Sequence, residues 1–134
     1  MKTVLVIEDN PDNLRLITVA LEHGGYSVIS AESGEAGIAL AVQERPLFII
    51  MDINLPGMDG LEATRRLRGN KITAAIPIIA MTSHAMLGNQ AHIMAAGCNG
   101  YFEKPIDPIT VVERIEKIIE DGKLGKAEDE KMRS

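Results

Sequence analysis

The sequence predicts a single α/β domain in which a parallel β-sheet is covered by helices on both faces. Five short apolar runs alternate along the chain with segments of helical periodicity. Three of these runs are rich in β-branched residues and lack alternation of polar and apolar positions, which is typical of strands buried on both faces of a parallel sheet. Because strand and helix alternate and such crossovers are right-handed, the strands should lie parallel in one sheet.

The five apolar runs define the predicted strands. They cover residues 4–7, 28–30 (with Tyr26 leading in), 48–51, 76–81 and 101–102. Polar or glycine-rich residues follow each run, as expected where a strand leads into a loop. The fifth run is the shortest.

The helices are predicted from apolar residues spaced three and four positions apart. These residues are Leu14, Ile17 and Leu21; Ala36, Ala39 and Leu40; Ala63 and Leu67; Ala91, Met94 and Ala95; and Val112, Ile115 and Ile119. Start and stop signals agree with them: Gly24 and Gly25, Pro46, a capping box of Asp59 and Glu62, Gly97, and Pro108 near the first turn of the fifth helix.

The length and composition are those of one folded domain. The chain has 134 residues, of which 46% are hydrophobic and 25% are charged, and this fits one hydrophobic core. We expect a folded domain over residues 1–121 and a charged C-terminal tail over residues 122–134. The tail has almost no apolar residues, so it should be disordered or extend the last helix by a few turns.

Charge and cysteine content exclude several classes of function. The formal net charge of -5 disfavours binding to nucleic acid or to an anionic membrane. No apolar run approaches the ~18–20 residues needed to span a bilayer. The N-terminus leads directly into an acidic pair, unlike a signal peptide, and the single cysteine, Cys98, fits a reducing compartment. We therefore expect a cytoplasmic protein.

Reactive side chains follow four of the five predicted strands. In a sheet of this kind the ligand site lies at the carboxyl ends of the strands. Glu8 and Asp9 follow the first strand, Asp52 ends the third, Thr82 ends the fourth, and Lys104 follows the fifth. Three carboxylates, a hydroxyl and an ammonium group should therefore converge on one edge of the sheet.

This set of side chains suits metal-dependent phosphoryl transfer. Three neighbouring carboxylates repel one another unless a cation neutralises them, and oxygen ligands without a nearby histidine or cysteine favour a hard ion such as Mg²⁺. A carboxylate can attack a phosphoryl group to give an aspartyl phosphate. The phosphoryl oxygens then need a metal, a cation and a hydrogen-bond donor, and Lys104 and Thr82 supply the last two.

Four sequence blocks resemble, in order, the signature blocks of receiver domains from two-component response regulators. They are residues 7–10, 51–60, 81–85 and 104–105. The resemblance covers roughly residues 3–121 and is closest to stand-alone receivers and to those of hybrid histidine kinases and phosphorelays. It implies a flavodoxin-like (βα)5 fold, which is a doubly wound five-stranded parallel sheet of order 2-1-3-4-5. The domain at 1–121 is then a receiver domain.

The resemblance also implies the phosphorylation and metal sites. Asp52 would be the phosphoacceptor, and Glu8, Asp9, Asp52 and the backbone carbonyl of Asn54 would hold Mg²⁺. Lys104 would pair with the phosphoryl charge. Glu8 stands where many receivers have aspartate, which keeps a carboxylate at that position.

A switch is implied as well. Thr82 would bind a phosphoryl oxygen, and Tyr101 matches the aromatic switch position of receivers. The Lys104–Pro105 peptide bond would be cis.

The resemblance further implies a phosphorylation-dependent signalling switch. Its phosphodonor would be a histidine kinase or a histidine phosphotransfer protein, and an unidentified downstream protein would respond to it. Such a domain catalyses only its own phosphoryl transfer and autodephosphorylation. No nucleic-acid or membrane partner is expected.

Structural interpretations of the same residues remain open at this point. Glu8 and Asp9 could cap the first helix, and Thr82 and Ser83 could begin the fourth. Other side chains are expected to have no direct role: His23 and His92 as exposed helix positions, His84, Cys98 as a packed hydrophobe, and Arg65, Arg66 and Arg68 as a solvated helix face.

Three alternative functions make different demands on the sequence. A phosphatase of the haloacid dehalogenase type needs a second acid two residues after the nucleophile, where this chain has Asn54. A degenerate receiver acting as a phosphate-independent binding module would lack Asp52, Lys104 or the acidic pair. A flavin-binding protein on the same fold would carry a glycine-rich or hydroxyl-rich phosphate loop after the first strand.

Overall fold

The computed structural model of the protein describes residues 2–83 and 87–133, without the side chains at positions 87–89 and 123–133. The strands are β1 Thr3–Ile7, β2 Ser27–Ala31, β3 Ile49–Asp52, β4 Ile78–Thr82 and β5 Gly100–Glu103. The helices are α1 Pro11–His23, α2 Gly34–Glu44, α3 Gly60–Arg68, α4 Leu87–Ala96 and α5 Val111–Arg133. His84 lies outside the described residues.

All five strands form one parallel sheet in the order β2-β1-β3-β4-β5. β1 pairs with two neighbours, so that Leu5 lies opposite Ile29 on one side and Ile49 on the other. The direction of the chain across the sheet reverses at β1, and the loops after β1 and β3 therefore diverge and leave a crevice at the carboxyl ends. The predicted fold class and the implied strand order are confirmed.

β4 begins two residues later than the sequence predicts. The amide of Ile76 donates to the carbonyl of Thr73 at 3.1 Å in a turn, and Pro77 has no amide hydrogen to give to a neighbouring strand. The strand instead continues to Thr82, which carries the hydroxyl to the edge of the sheet.

Strand residues pack alternately into two hydrophobic cores, one on each face of the sheet. The core under α1 and α5 contains Val4, Val6, Ile17, Leu21, Ile50, Ile79, Phe102 and Ile115. The core under α2, α3 and α4 contains Leu5, Ile7, Ala41, Ile49, Met51, Leu67, Ile78 and Ile93. The two cores hold the strands rigidly, so the loops at their carboxyl ends have fixed starting points.

The buried faces of α1, α3 and α5 agree with the predicted apolar residues, but those of α2 and α4 differ. α2 buries Gly34, Gly37 and Ala41 rather than Ala36 and Ala39. Gly37 lies against the side chain of Ile7, and a Cβ at this position would overlap it. α2 therefore approaches β1 through glycine, which has no side chain to mark a buried face.

In α4 the buried residues are Ile93 and Ala96. Met94, which the sequence suggested for the buried face, is 49% exposed. Ala91 and Ala95, the other two predicted residues, are exposed as well. Alanine is compatible with either face, so two alanines and one methionine do not define a buried face without the tertiary contacts. Within the described residues, no helix has both the length and the apolar character needed to cross a membrane.

Arg68 is not solvated, contrary to the prediction for its helix face. Its guanidinium donates to the carbonyls of Gly97 at 2.9 Å and Ile76 at 2.7 Å and to Asn99 Oδ1 at 2.9 Å. These bonds tie the end of α3 to the loops before β4 and β5. Arg65 and Arg66 remain exposed and pair with Glu62.

Cys98 is buried beside the end of α4, as predicted. Burial raises the pKa of its thiol, and the hydroxyl of Thr64 and the charge of Arg68 offset this only in part. Because the thiolate is the reactive form, the side chain behaves as a small packed hydrophobe.

Candidate phosphorylation and metal site

The first helix is capped by Asn10, not by the acidic pair before it. Asn10 Oδ1 accepts hydrogen bonds from the amides of Asp12 and Asn13, both at 3.0 Å. The capping interpretation of Glu8 and Asp9 is therefore excluded. Glu8 is 0% exposed, whereas Asp9 is exposed to solvent at the mouth of the crevice.

Asp52 is the last residue of β3 and is 2% exposed. Its Oδ1 accepts a hydrogen bond from the amide of Asn54 at 3.0 Å, which fixes the carboxylate where the strand ends. Gly60 begins α3 in direct contact with the backbone of Asp52, and a Cβ there would overlap the Asp52 carbonyl. The amide of Gly60 also donates to the carbonyl of Ile53 at 3.1 Å, so the loop folds back tightly beside the carboxylate.

Lys104 joins two of the acids. Its Nζ lies 3.0 Å from Glu8 Oε1 and 3.3 Å from Asp52 Oδ1, and its side chain is 15% exposed. The amide of Lys104 donates to the carbonyl of Thr82 at 2.8 Å. The Lys104–Pro105 bond is cis, as the resemblance implied.

The three carboxylates form one cluster. Ligand oxygens of Glu8, Asp9 and Asp52 all lie within 4.8 Å of one another. Burial and the neighbouring Asp52 carboxyl raise the pKa of Glu8 from 4.5 to about 7, while Lys104 and Asn13 lower it only in part. The surroundings therefore favour binding of a proton or a cation to Glu8 over a free carboxylate.

A hard cation fits this donor set. Glu8 Oε2 is buried and has no hydrogen-bond partner among the described residues. An unsatisfied carboxylate oxygen is costly unless a cation or a donor meets it. The side-chain atoms of Glu8, Asp9 and Asp52 that could bind a metal are all oxygens, which Mg²⁺ prefers as ligands.

The predicted switch residues lie on adjacent strands. Thr82 ends β4 and is 2% exposed, which excludes the alternative that it begins α4. Tyr101 is half-buried on β5 and packs against the core under α2, α3 and α4. It pairs with Ala80, and so lies two residues behind Thr82 along the neighbouring strand.

One contact across the crevice was not anticipated from sequence. Asn54 Nδ2 donates to Ser83 Oγ at 3.2 Å and links the loops after β3 and β4. The resemblance to receiver domains implied a role only for the backbone carbonyl of Asn54. The sequence feature that indicates this contact is that both polar residues lie within two positions after the ends of neighbouring strands.

The sequence profile of the response regulator receiver domain matches residues 4–116. The chain belongs to this family. The polar-differentiation response regulator DivK of Brucella ovis is 38% identical over 120 residues, which cover 90% of this chain and 98% of that protein.

Solved structures give the same result. The receiver domain of sensor histidine kinase PA1611 from Pseudomonas aeruginosa PAO1, which has a magnesium ion coordinated in its active-site cleft, has a TM-score of 0.81 and 33% identity over 88% of this chain and 97% of that one. The chemotaxis protein CheY4 of Vibrio cholerae has a TM-score of 0.83 and 27% identity over 88% and 98%. The protein is a receiver domain of two-component signalling, and the predicted family and class of function are confirmed.

Proposed function

We propose that Asp52 accepts a phosphoryl group from the phosphohistidine of a histidine kinase or of a histidine phosphotransfer protein. The observation that supports this most directly is the placement of Lys104 Nζ 3.3 Å from Asp52 Oδ1 at the end of a buried strand. A carboxylate in this position is held in place and has a cation beside it. It is thus prepared both to attack phosphorus and to tolerate the added charge.

In the transfer step, an oxygen of the Asp52 carboxylate forms a bond to phosphorus. The bond from phosphorus to the imidazole nitrogen of the donor breaks, and the imidazole leaves with that electron pair. The amide of Asn54 holds Oδ1 at 3.0 Å, which orients the carboxylate for attack along one direction. Lys104 then pairs with an oxygen of the new phosphoryl group.

Glu8, Asp9, Asp52 and the backbone carbonyl of Asn54 would hold Mg²⁺. When bound, the ion supplies positive charge that stabilises the phosphoryl oxygens during transfer. The clustering of the three carboxylates and the unpartnered Glu8 Oε2 support this assignment. Lys104 would also separate the buried Glu8 carboxylate from the phosphoryl group and limit their repulsion.

Thr82 and Tyr101 would convert the new charge into a signal. A phosphoryl group on Asp52 gives the hydroxyl of Thr82 a charged acceptor, and such hydrogen bonds are stronger than neutral ones. Inward motion of Thr82 would leave space for the Tyr101 ring. A downstream protein that binds the face formed by α4, β5 and α5 would then sense the change.

The protein would act in the cytoplasm, on protein partners alone, and would catalyse no reaction beyond its own phosphorylation and dephosphorylation. Residues 1–121 would form the functional receiver, and residues 122–134 would be dispensable for phosphoryl transfer. Membership of the receiver family and the presence of every site residue argue against the phosphatase and degenerate-receiver hypotheses.

The test is chemical phosphorylation. Acetyl phosphate or phosphoramidate with Mg²⁺ should add one phosphoryl group, detected by intact mass, and Asp52→Asn should abolish it because an amide is a far poorer nucleophile. Asp121→Asn, on the exposed side of α5, is the matched control and should be labelled like the wild type. Label that persists in Asp52→Asn, or that forms fully in EDTA, would contradict the proposal.

A further inference from the structure

A second concave surface lies at the opposite end of the sheet from Asp52. A cleft of about 500 Å³ is lined by residues that precede the strands and by the middle of α5, a volume in the usual range of binding pockets. Its apolar lining consists of Tyr26, Leu47, Phe48, Ala75, Pro77 and Ile119. We call it the basal cleft. Leu47 is 53% exposed there, so part of the apolar lining faces water.

The rim of the basal cleft is acidic. Glu116 and Glu120 are one turn apart on α5, and both are exposed. Within the part of the chain that the structure describes, neither carboxylate forms an ion pair. Glu116 Oε2 accepts a hydrogen bond from the hydroxyl of Tyr26 at 2.9 Å. The two carboxylates are therefore available to a cation that approaches from solvent.

A lysine of the same chain, Lys2, places its ammonium group at the cleft. The ammonium of Lys2 lies 5.9 Å from the centroid of the Tyr26 ring, within the range of a cation–π interaction. The edge of an adjacent ring supports this aromatic wall, since the Tyr26 and Phe48 centroids are 5.2 Å apart. An aromatic face beside carboxylates is the chemistry that recognises lysine and arginine.

The basal cleft is remote from the phosphorylation site. Asp52 and Thr82 end their strands, whereas Phe48 and Pro77 precede the same strands. At ~3.3 Å per residue, strands of this length separate the two ends by roughly 13–16 Å. Neither Thr82 nor Tyr101 lines the cleft, so a rearrangement limited to these two side chains should leave the cleft intact.

We propose that the basal cleft docks a peptide segment of a partner protein that presents an apolar side chain next to a lysine or arginine, and that docking is independent of phosphorylation. The apolar side chain packs on Leu47, which is exposed at the cleft. The basic side chain lies between Tyr26 and the carboxylates of Glu116 and Glu120. Leu47, Glu116 and Glu120 are all exposed at the cleft, so a segment of chain can reach them from solvent.

Three probes test the chemistry by NMR titration of the ¹⁵N-labelled full chain. They are a short peptide of alternating leucine and arginine, the same peptide with glutamate for arginine, and hexylammonium. The leucine–arginine peptide should shift the amides around the basal cleft and bind more tightly than the other two. The dissociation constant should stay the same within about twofold when beryllium fluoride and Mg²⁺ are added, the scale of a weak surface effect.

Variants that remove a negative or a positive charge from the cleft give a sharper test. Glu120→Gln should weaken binding of the leucine–arginine peptide about two- to fivefold, the effect of losing one exposed ion pair. Lys2→Ala removes the competing ammonium and should strengthen it by a similar factor. Leu47→Ala should weaken binding roughly five- to tenfold through lost apolar contact. Glu35→Gln on α2 makes the same charge change away from the cleft and should have no effect.

Several outcomes would overturn the proposal. Absence of shifts at the basal cleft with millimolar peptide excludes docking there. Preference for the glutamate peptide, or weaker binding in Lys2→Ala, reverses the charge assignment. Equal binding of hexylammonium indicates a site for small cations instead of a peptide. A large effect of beryllium fluoride removes the claim of independence, and none of these results bears on labelling of Asp52.

Discussion

Glu8 and Asp9 are neighbours in sequence but lie in different environments. Glu8 is fully buried and contacts Lys104, whereas Asp9 is exposed. Loss of the Glu8 carboxylate would therefore also break an internal ion pair. Asp9 is therefore the better residue for testing the proposed metal site alone.

Asp9→Ala should reduce the stabilisation that Mg²⁺ confers. Loss of one charged ligand should raise the dissociation constant of Mg²⁺ at least about tenfold, which lowers the stabilisation at high metal concentration by about 1.4 kcal/mol. Thermal melts with and without Mg²⁺ measure it, with Asp12→Asn in the first turn of α1 as control. An unchanged Mg²⁺-dependent rise in Tm would count against Asp9 as a ligand.

The phenol of Tyr26 should remain protonated at pH values well above 10.0, its ordinary pKa. Burial, together with its hydrogen bond to Glu116 and the charge of that residue, raises the pKa of Tyr26 from 10.0 to about 12. The folded state therefore favours the neutral phenol, and the stability from Tyr26 is full below pH 10 and is lost as pH rises toward 12.

Two variants isolate this titration. The chain has two tyrosines, so in Tyr101→Phe the ultraviolet absorbance of tyrosinate reports Tyr26 alone. Adding Glu116→Gln should bring the titration closer to pH 10, because both contributions of the carboxylate are removed. A midpoint near 10 in the single variant would show that the Tyr26–Glu116 contact is absent in solution.

At the scale of elements, α2 and β1 approach each other through a glycine. Gly37 lies against Ile7, whose side chain leaves no room for a Cβ. The helix is consequently seated close to the strand that precedes Glu8 and Asp9. The seating of α2 thus affects the position of the acidic pair.

Gly37→Ala should destabilise the fold by about 1–3 kcal/mol through overpacking, although alanine has the higher helix propensity. Gly122→Ala on α5 is the matched control. A Cβ there meets only Asn99 Nδ2 at 3.8 Å, so the change should stabilise by up to about 1 kcal/mol. Urea unfolding measures the change in the free energy of unfolding for both variants, which should be of opposite sign. Equal changes would show that helix propensity alone determines the effect of alanine at both positions.

At the scale of the whole molecule, the proposed phosphorylation site and the proposed partner face are joined through β4 and β5. Thr82 lies at the site, and Tyr101 lies on the next strand under α4. α4 buries few side chains among those described, chiefly Ile93 and Ala96. A helix with few buried contacts can shift at low cost.

Thr82→Ala should leave Asp52 able to be labelled but should uncouple labelling from changes around Tyr101. Alanine cannot donate a hydrogen bond to the phosphoryl group, and its smaller side chain leaves the same space beside Tyr101 whether or not Asp52 is phosphorylated. Hydrogen exchange or chemical shifts with and without beryllium fluoride measure the response of α4 and β5. Ser83→Ala removes the neighbouring hydroxyl and is the control, and a full response in Thr82→Ala would refute the mechanism.

The sequence by itself determined the alternation of strands and helices, the fold class and the location of the acids. These features depend on local information. A β-branched run predicts a buried strand whatever its neighbours are, and Asp52 at the end of such a run must lie at the carboxyl edge of the sheet. Four blocks in order were then sufficient to indicate the family.

Only the tertiary structure decided which helix faces are buried, which basic side chains form hydrogen bonds within the protein, and that a cleft lies at the end of the sheet opposite Asp52. Arg68 was expected in solvent, but its partners Ile76, Gly97 and Asn99 come from two other loops. The basal cleft likewise combines residues that precede several strands. Such contacts join positions far apart in sequence, and no local pattern encodes them because they depend on the distance and angle at which whole elements pack.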